Sequence, residues 1–179
     1  MVANDSDWEN VLNGGKKTES QMNILNAVGN ELREQNMKQN NIMIHGLPLP
    51  CASTDYEAEQ EDMQLVMELF DEMNIHDIER DIVHLIRLKQ WRWSYTPPPI
   101  RLVLKTDFDR QWSNNEILRA AKRLKYSKKF KNVGISNDLS FPQQKLMKKL
   151  IKTRNELNSE LDGTEGYQYC IRDFLLVKI

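Results

Sequence analysis

Apolar side chains recur along this chain with two alternating periods. Between Glu19 and Lys38, the residues Met22, Leu25, Val28 and Leu32 are spaced three, three and four apart, which places them on one stripe of a helix. Ile42-Met43-Ile44-His45 then makes a short apolar run closed by Gly46-Leu47-Pro48, the pattern of a strand ending in a turn. After a polar loop from Pro50 to Glu59, the segment Glu61 to Met73 is amphipathic, with Met63, Val66, Met67 and Phe70 on its inward side. Asp81 to Leu88 reads as a strand. Ile100 to Lys105 alternates, with Ile100, Leu102 and Leu104 facing one way and Arg101, Val103 and Lys105 the other. Between these strands, Lys89 to Pro99 holds three aromatics and three consecutive prolines and is expected as an exposed loop or wide hairpin. Arg110 to Lys125 predicts a second helix with Ile117, Leu118, Ala121 and Leu124 inward, and Val133 to Ile135 a further short strand.

The resulting order, strand, helix, strand, strand, helix, strand, is the split βαβ arrangement of the ferredoxin-like fold. The expected class is therefore α+β, with a βαββαβ RNA-recognition-motif-like sandwich over residues 41–136. Two helices would cover one face of its sheet and leave the other open, the face such domains turn to single-stranded nucleic acid. Residues 137–179 predict a small α/β C-terminal domain. Asp138 or Ser140 caps its long helix, Phe141 to about Leu161, and Pro142 suits the first turn. Leu146, Leu150 and Leu157 repeat on one side of that helix with Ile151 flanking, and Asp162-Gly163 ends it. Two strand-like pieces, Gln168 to Ile171 and Phe174 to Val177, follow around a turn at Arg172-Asp173. Residues 1–40 are expected to be a flexible leader to about Lys17 and then a helix, either packed on the domain or the remnant of a coiled coil.

Charge sharpens this picture. Met1 to Arg80 carries 5 basic and 16 acidic residues, a net of −11; Asp81 to Ile179 carries 20 basic and 10 acidic, a net of +10. Between Ile82 and Arg154 the count is 18 basic against 4 acidic. A field of one sign gathered on part of a small protein favours a polyanion, although lysines on exposed helix faces also serve solubility alone. A hydrophobic share of 40% in 179 residues is enough for one medium domain or two small ones. No apolar run approaches the roughly 20 residues that span a bilayer, so no membrane partner is expected, and the polar, acidic start is no signal peptide. Cys51 and Cys170 stand far apart and outline no disulfide framework, which points to a reducing compartment.

Catalysis finds little footing. His45, His76 and His84 lack cysteine or carboxylate partners at metal-ligand spacing, so no metal or other cofactor is expected. Asp107 and Asp109 sit where helix-capping acids belong. Gly14-Gly15-Lys16-Lys17 lacks the strand and spacing of a phosphate loop. The acids Glu57, Glu59, Glu61 and Asp62 read as the start of a helix near its positive end.

Several short pieces together resemble the RNA-binding, nucleic-acid-chaperone protein from the first open reading frame of LINE-type retrotransposons, a family also called transposase-22-like. The matching pieces are Asn41-Ile42-Met43-Ile44-His45-Gly46-Leu47-Pro48, Ile86-Arg87-Leu88 and Pro99-Ile100-Arg101-Leu102-Val103-Leu104. They continue with Ile117-Leu118-Arg119-Ala120-Ala121-Lys122, Ile135-Ser136-Asn137-Asp138-Leu139-Ser140 and Tyr169-Cys170-Ile171-Arg172, so the likeness runs from Asn41 to Ile179. It implies an atypical RNA-recognition domain and a smaller C-terminal domain that clamp single-stranded RNA between them, behind a coiled coil that joins three chains. With so short a helix here, the expectation is a monomer or a weak, concentration-dependent homotrimer. The implied function is sequence-nonspecific binding of single-stranded RNA, or single-stranded DNA, with chaperone activity in a retrotransposon ribonucleoprotein, cytoplasmic with a nuclear location as the alternative. A non-enzymatic self-assembly or interaction scaffold is the competing reading.

The same likeness assigns Arg87 an RNA contact at the end of the second strand, Arg119 and Lys122 an interdomain basic cleft, and Arg172 a place in the C-terminal domain. Residue chemistry adds four more. Arg92 lies between Trp91 and Trp93, pairing a phosphate-binding guanidinium with stacking indoles. Arg101 and Lys105 share the expected open face, and Arg123 extends the basic spacing of the second helix. Few aromatics fall on the expected sheet face, so phosphate contacts should dominate.

Overall fold

The computed structural model describes residues 18–89, 96–106, 109–161 and 166–179. The expected leader to Lys17, the tip of the loop holding Arg92, Asp107 and the Asp162-Gly163 helix stop lie outside the described residues. The chain divides into two compact units, Met1–Asn36 and Met37–Ile179.

The first unit holds most of α1 (Glu19–Lys38), a helix with no buried residue. Thr18 and Gln21 open it by exchanging hydrogen bonds: the Thr18 amide donates to Gln21 Oε1 (2.9 Å), and the Gln21 amide donates to Thr18 Oγ1 (3.3 Å). Met22, Leu25, Val28 and Leu32 are all exposed.

The second unit is mixed α/β around a four-stranded antiparallel sheet. Its strands are β1 (Asn41–His45), β2 (Ile82–Arg87), β3 (Ile100–Leu104) and β4 (Gly134–Asn137), ordered β2-β3-β1-β4. Ile42, Ile44, Leu85, Ile100, Leu102 and Leu104 point to one face, as period-two alternation requires. That face is covered by α2 (Asp55–Glu72), through Val66, Leu69 and Phe70, and by α3 (Asn114–Ala120), through Ile117; Leu124 follows in the 3-10 turns Ala121–Tyr126. The register places Asn41, Met43, His45, His84, Ile86, Arg101, Val103 and Ser136 on the opposite face.

Local chemistry fixes where these elements begin and end. The expected loop to Glu59 is shorter, because Thr54 caps α2 from Asp55: Thr54 Oγ1 accepts from the Glu57 amide at 3.2 Å, and Asp55 and Glu57 sit at the positive helix end. The expected helix from Arg110 starts later, at Asn114. Buried Asp81 holds the preceding turn instead, its Oδ2 accepting from the amides of Gln111 (2.9 Å) and Trp112 (3.4 Å), and Ser113 and Glu116 form a capping box. Edge strand β2 carries a register irregularity between Ile82 and His84 that leaves Val83 exposed, a device that discourages edge pairing. Gly46 turns the chain out of β1 at φ +87°, where a Cβ would lie 2.7 Å from the Asn132 carbonyl oxygen.

Beyond β4, the helix α4 (Phe141–Ser159) packs on a two-stranded hairpin, β5 (Tyr169–Arg172) and β6 (Leu175–Lys178). Ser140 and Gln143 close its capping box, with Pro142 in the first turn. The half-buried stripe of α4 includes Gln143, Met147, Leu150, Arg154 and Leu157; Leu146, expected to join Leu150 and Leu157, is exposed on one flank, and Ile151, expected to flank them, is exposed on the other. Asn158 ties helix to hairpin, donating to the Tyr169 carbonyl (2.9 Å) and accepting from its amide (2.7 Å). The hairpin turn is Asp173-Phe174, one residue later than expected, with both residues at positive φ, +47° and +58°.

Candidate nucleic-acid interface

The basic residues fall into groups with different surroundings. Arg87 ends β2 and pairs across the sheet with inward-facing Ile100, so its side chain enters the protein rather than leaving it. Its Nε donates to Asp62 Oδ2 at 2.7 Å, and Nη2 also pairs with Asp62 Oδ1. Nη1 donates to the carbonyl of Pro98 (3.1 Å) and Nη2 to that of Pro48 (2.9 Å). Only 13% of the Arg87 side chain and 4% of the Asp62 side chain are exposed. This guanidinium fastens α2, the turn after β1 and the entry to β3 to one another. Asp62, grouped in the sequence with acids at a helix start, is the buried counter-ion for it.

Arg101 does lie on the open sheet face, but beside a buried carboxylate. Its Nε is 3.0 Å from Asp138 Oδ2, without the angle of a directed hydrogen bond, and a third of the side chain is exposed. Asp138 also accepts from Asn41 Nδ2 at 3.0 Å and has Lys38 Nζ at 3.9 Å. The open face at its β1–β3 centre is therefore locally compensated. Met43, between Arg101 and Ser136 in the register, is buried there, and His45 Nε2 lies 3.2 Å from Ser136 Oγ. Burial holds the His45 imidazole below its ordinary pKa. Lys105 is exposed just past β3, its amide donating to the Asp81 carbonyl at 2.8 Å.

The third group lies in the helix layer. From Arg119 to Lys131 the chain has seven basic residues and no acid. Leu124, Ser127 and Phe130 are buried within it. Ser127 Oγ accepts from the amides of Lys129 (3.2 Å) and Phe130 (3.0 Å), tightening the turn between them. These anchors leave Arg119, Lys122, Arg123, Lys125, Lys128, Lys129 and Lys131 exposed, together with Tyr126. Arg123 Nη1 donates to the Met73 carbonyl at the end of α2 (2.6 Å), and Lys129 pairs with Glu68. Lys125 Nζ sits 4.5 Å from the Tyr126 ring centroid.

In the C-terminal module, Arg172 is exposed at the end of β5, and Lys145, Lys148, Lys149 and Lys152 are exposed on the side of α4 away from its half-buried stripe.

Arg87 and Arg123 attach to the same helix near residues 62 and 73. At 1.5 Å per residue that is roughly 16 Å along its axis, so they belong to separate parts of the surface. Sequence patterning singled out Arg119, Lys122 and Arg123 but passed over Trp112 and Tyr126. Neither interrupts a periodic apolar pattern; Tyr126 lies within the basic run in the sequence itself, whereas the fold brings Trp112 to the cavity that Arg119 and Arg123 line. Among the described residues no group of histidine, cysteine and carboxylate side chains is placed to hold a metal ion, and no helix is long and apolar enough to cross a membrane. No model of a known protein family matches the chain, and no curated protein matches it.

Proposed function

We propose that this chain is a sequence-nonspecific single-stranded nucleic-acid-binding protein with chaperone activity, of the kind encoded by the first open reading frame of LINE-type retrotransposons. Residues 41–136 are its ferredoxin-like, RNA-recognition-motif-like domain. The element order and the strand order β2-β3-β1-β4 support that reading. Its ligand is single-stranded RNA, or DNA, its setting a cytoplasmic or nuclear ribonucleoprotein, and its work involves no catalytic step. The observation that carries the proposal is the acid-free run of seven cations from Arg119 to Lys131, anchored by buried Leu124, Ser127 and Phe130. Cations held on a folded surface lower phosphate repulsion, and contacts made mainly to phosphates stay reversible enough for strands to rearrange.

Filter binding of unrelated single-stranded oligonucleotides across a salt series tests it. Affinity should be similar for all sequences and fall steeply as salt rises; no affinity at low salt rejects it. Annealing of complementary strands should also accelerate. A second reading is favoured by the exposed apolar residues of α1: self-assembly through that helix, as a scaffold or a weak trimer. Under a pure scaffold the oligonucleotides would not bind, while sedimentation would still depend on concentration.

A further inference from the structure

The open face of the sheet is where a domain of this topology would be expected to lay a single strand, yet its central guanidinium, Arg101, is already beside Asp138, and Arg87 is turned inward onto Asp62. The helix layer offers what that face lacks. Between the end of α2 and α3 lies a cavity of about 320 Å³, at the lower end of the range of ~300–1,000 Å³ that small-ligand sites occupy. It is lined by residues that include Asn74, Ile75, Trp112, Arg119 and Arg123. We infer that a nucleic-acid strand runs over the helix layer along Arg119–Lys131 and lodges one base in this cavity against Trp112. The inference rests on the nucleic-acid reading above and assigns it a path and a base-binding site.

Three features fit one base and its phosphate better than another ligand. First, the indole is held in place before any ligand arrives. Trp112 Nε1 donates to the His76 carbonyl at 3.0 Å, and its backbone amide to Asp81 Oδ2 at 3.4 Å. A fixed aromatic ring in a cleft is a stacking partner for any base, because every base has a π-face. Second, two arginines, Arg119 and Arg123, line the cavity. Arg123 is positioned by the Met73 carbonyl through Nη1, and a guanidinium has four further N–H donors for a phosphate. Glu116 also lines the cavity. Its carboxylate belongs to the Ser113 capping box, and its charge steers a phosphate to the arginine side. Third, the cavity does not stand alone. Arg119 and Arg123 begin the cation run that continues through Lys125, Lys128 and Lys131, and Tyr126, 79% exposed within it, offers a second stacking surface. An apolar peptide anchor would fill the cavity equally well but has no use for the cations that follow.

The test uses the full chain and a fluorescein-labelled oligouridine 12-mer carrying 4-thiouridine. Irradiation followed by mass spectrometry should place crosslinks at Trp112 or Tyr126. The triple substitution Arg119→Gln, Lys125→Gln, Lys128→Gln should weaken binding at least tenfold. It should also flatten the log–log salt slope by about 2, at roughly 0.7 for each phosphate of a single strand that is no longer neutralised. Tyr126→Ala should lower affinity about tenfold. All four side chains are exposed, so folding is preserved, which circular dichroism checks. Trp112→Phe, which keeps a ring in the cavity, should bind more tightly than Trp112→Leu at equal thermal stability. Crosslinks confined to Met43, His45 or His84, with affinity untouched by the triple substitution, would place the strand on the sheet and overturn the inference while leaving the nucleic-acid reading standing. Displacement of the oligonucleotide by polyglutamate without any crosslink at either ring would mark the surface as a site for an acidic protein and also overturn it. Absence of binding by the unsubstituted chain at low salt would remove both.

Discussion

Arg87 and Asp62 show how a single residue's role follows from its side of the sheet. An arginine at a strand end reads equally well as a surface cation or a buried tie, and the register with Ile100 turns this one inward. Two charges taken out of water together contribute little net stability, but removing one leaves the other uncompensated. Asp62→Ala should therefore cost about 3–5 kcal/mol in urea unfolding. Replacing both residues by well-fitting apolar side chains should cost far less than the two single substitutions combined, and a pair of small additive effects would contradict this account. His45 makes a second prediction at this scale. Burial disfavours its charged form, so its folded pKa lies below the unfolded value of about 6.5. The unfolded chain then binds the proton more readily, and the contribution of neutral His45 to stability is present above that value and lost as pH falls through the folded pKa. A nuclear magnetic resonance titration of the imidazole should give a midpoint below that of a model peptide; one at or above it would contradict the burial account.

At the scale of elements, caps rather than propensities set the boundaries. Ser113 begins α3 because its hydroxyl accepts from the Glu116 amide at 3.3 Å while the Glu116 carboxylate accepts from the Ser113 amide at 2.9 Å. The Ser113 hydroxyl and amide also hold the Glu116 carboxyl below its usual range. Ser113→Ala should destabilise the fold by about 1 kcal/mol and let the Glu116 pKa rise toward its ordinary value. An unchanged melting curve and an unchanged Glu116 titration would show the box to be incidental. The strands were legible because alternation survives any context: Ile100, Leu102 and Leu104 are inward as their spacing says. The starts of α1 and α4 were legible too, but those of α2 and α3 were not, because Thr54 and Asp81 act across turns that carry no apolar period. In α4 the leucine spacing fits a helix, but the packed stripe is centred between Leu146 and Ile151, and only packing against the hairpin selects it.

For the whole molecule, the division after Asn36 separates most of α1, which buries no residue, from a unit that holds the hydrophobic core of the described residues. Residues 37–179 should therefore fold without the preceding segment, with a melting temperature close to that of the full chain. Sedimentation of the two should differ only if α1 assembles: two to three heptads give at most a marginal coil, so any trimer should be weak, concentration-dependent and lost on that deletion. A tight oligomer that survives the deletion would place assembly in the folded unit. The separation of charge is likewise a property of the whole. The acids of α2 and the cations of Arg119–Lys131 are distant in sequence and meet at Lys129–Glu68, while Arg123 binds the backbone carbonyl of Met73 at the end of α2.

The sequence by itself determined the order of strands and helices, the inward residues of the central strands and the concentration of positive charge after Ile82. Each of these is a short-range pattern that the backbone geometry of a strand or helix reads directly. Only the tertiary structure decided which cations are occupied and which are displayed. Arg87 meets Asp62, and Arg101 meets Asp138, across 25 and 37 positions of sequence, and Trp112 reaches the rim of a cavity beside Arg119 and Arg123 only when α3 packs against the end of α2. A charge's availability depends on its neighbours in space, and those are set by the packing of the sheet and its two helices rather than by any local pattern.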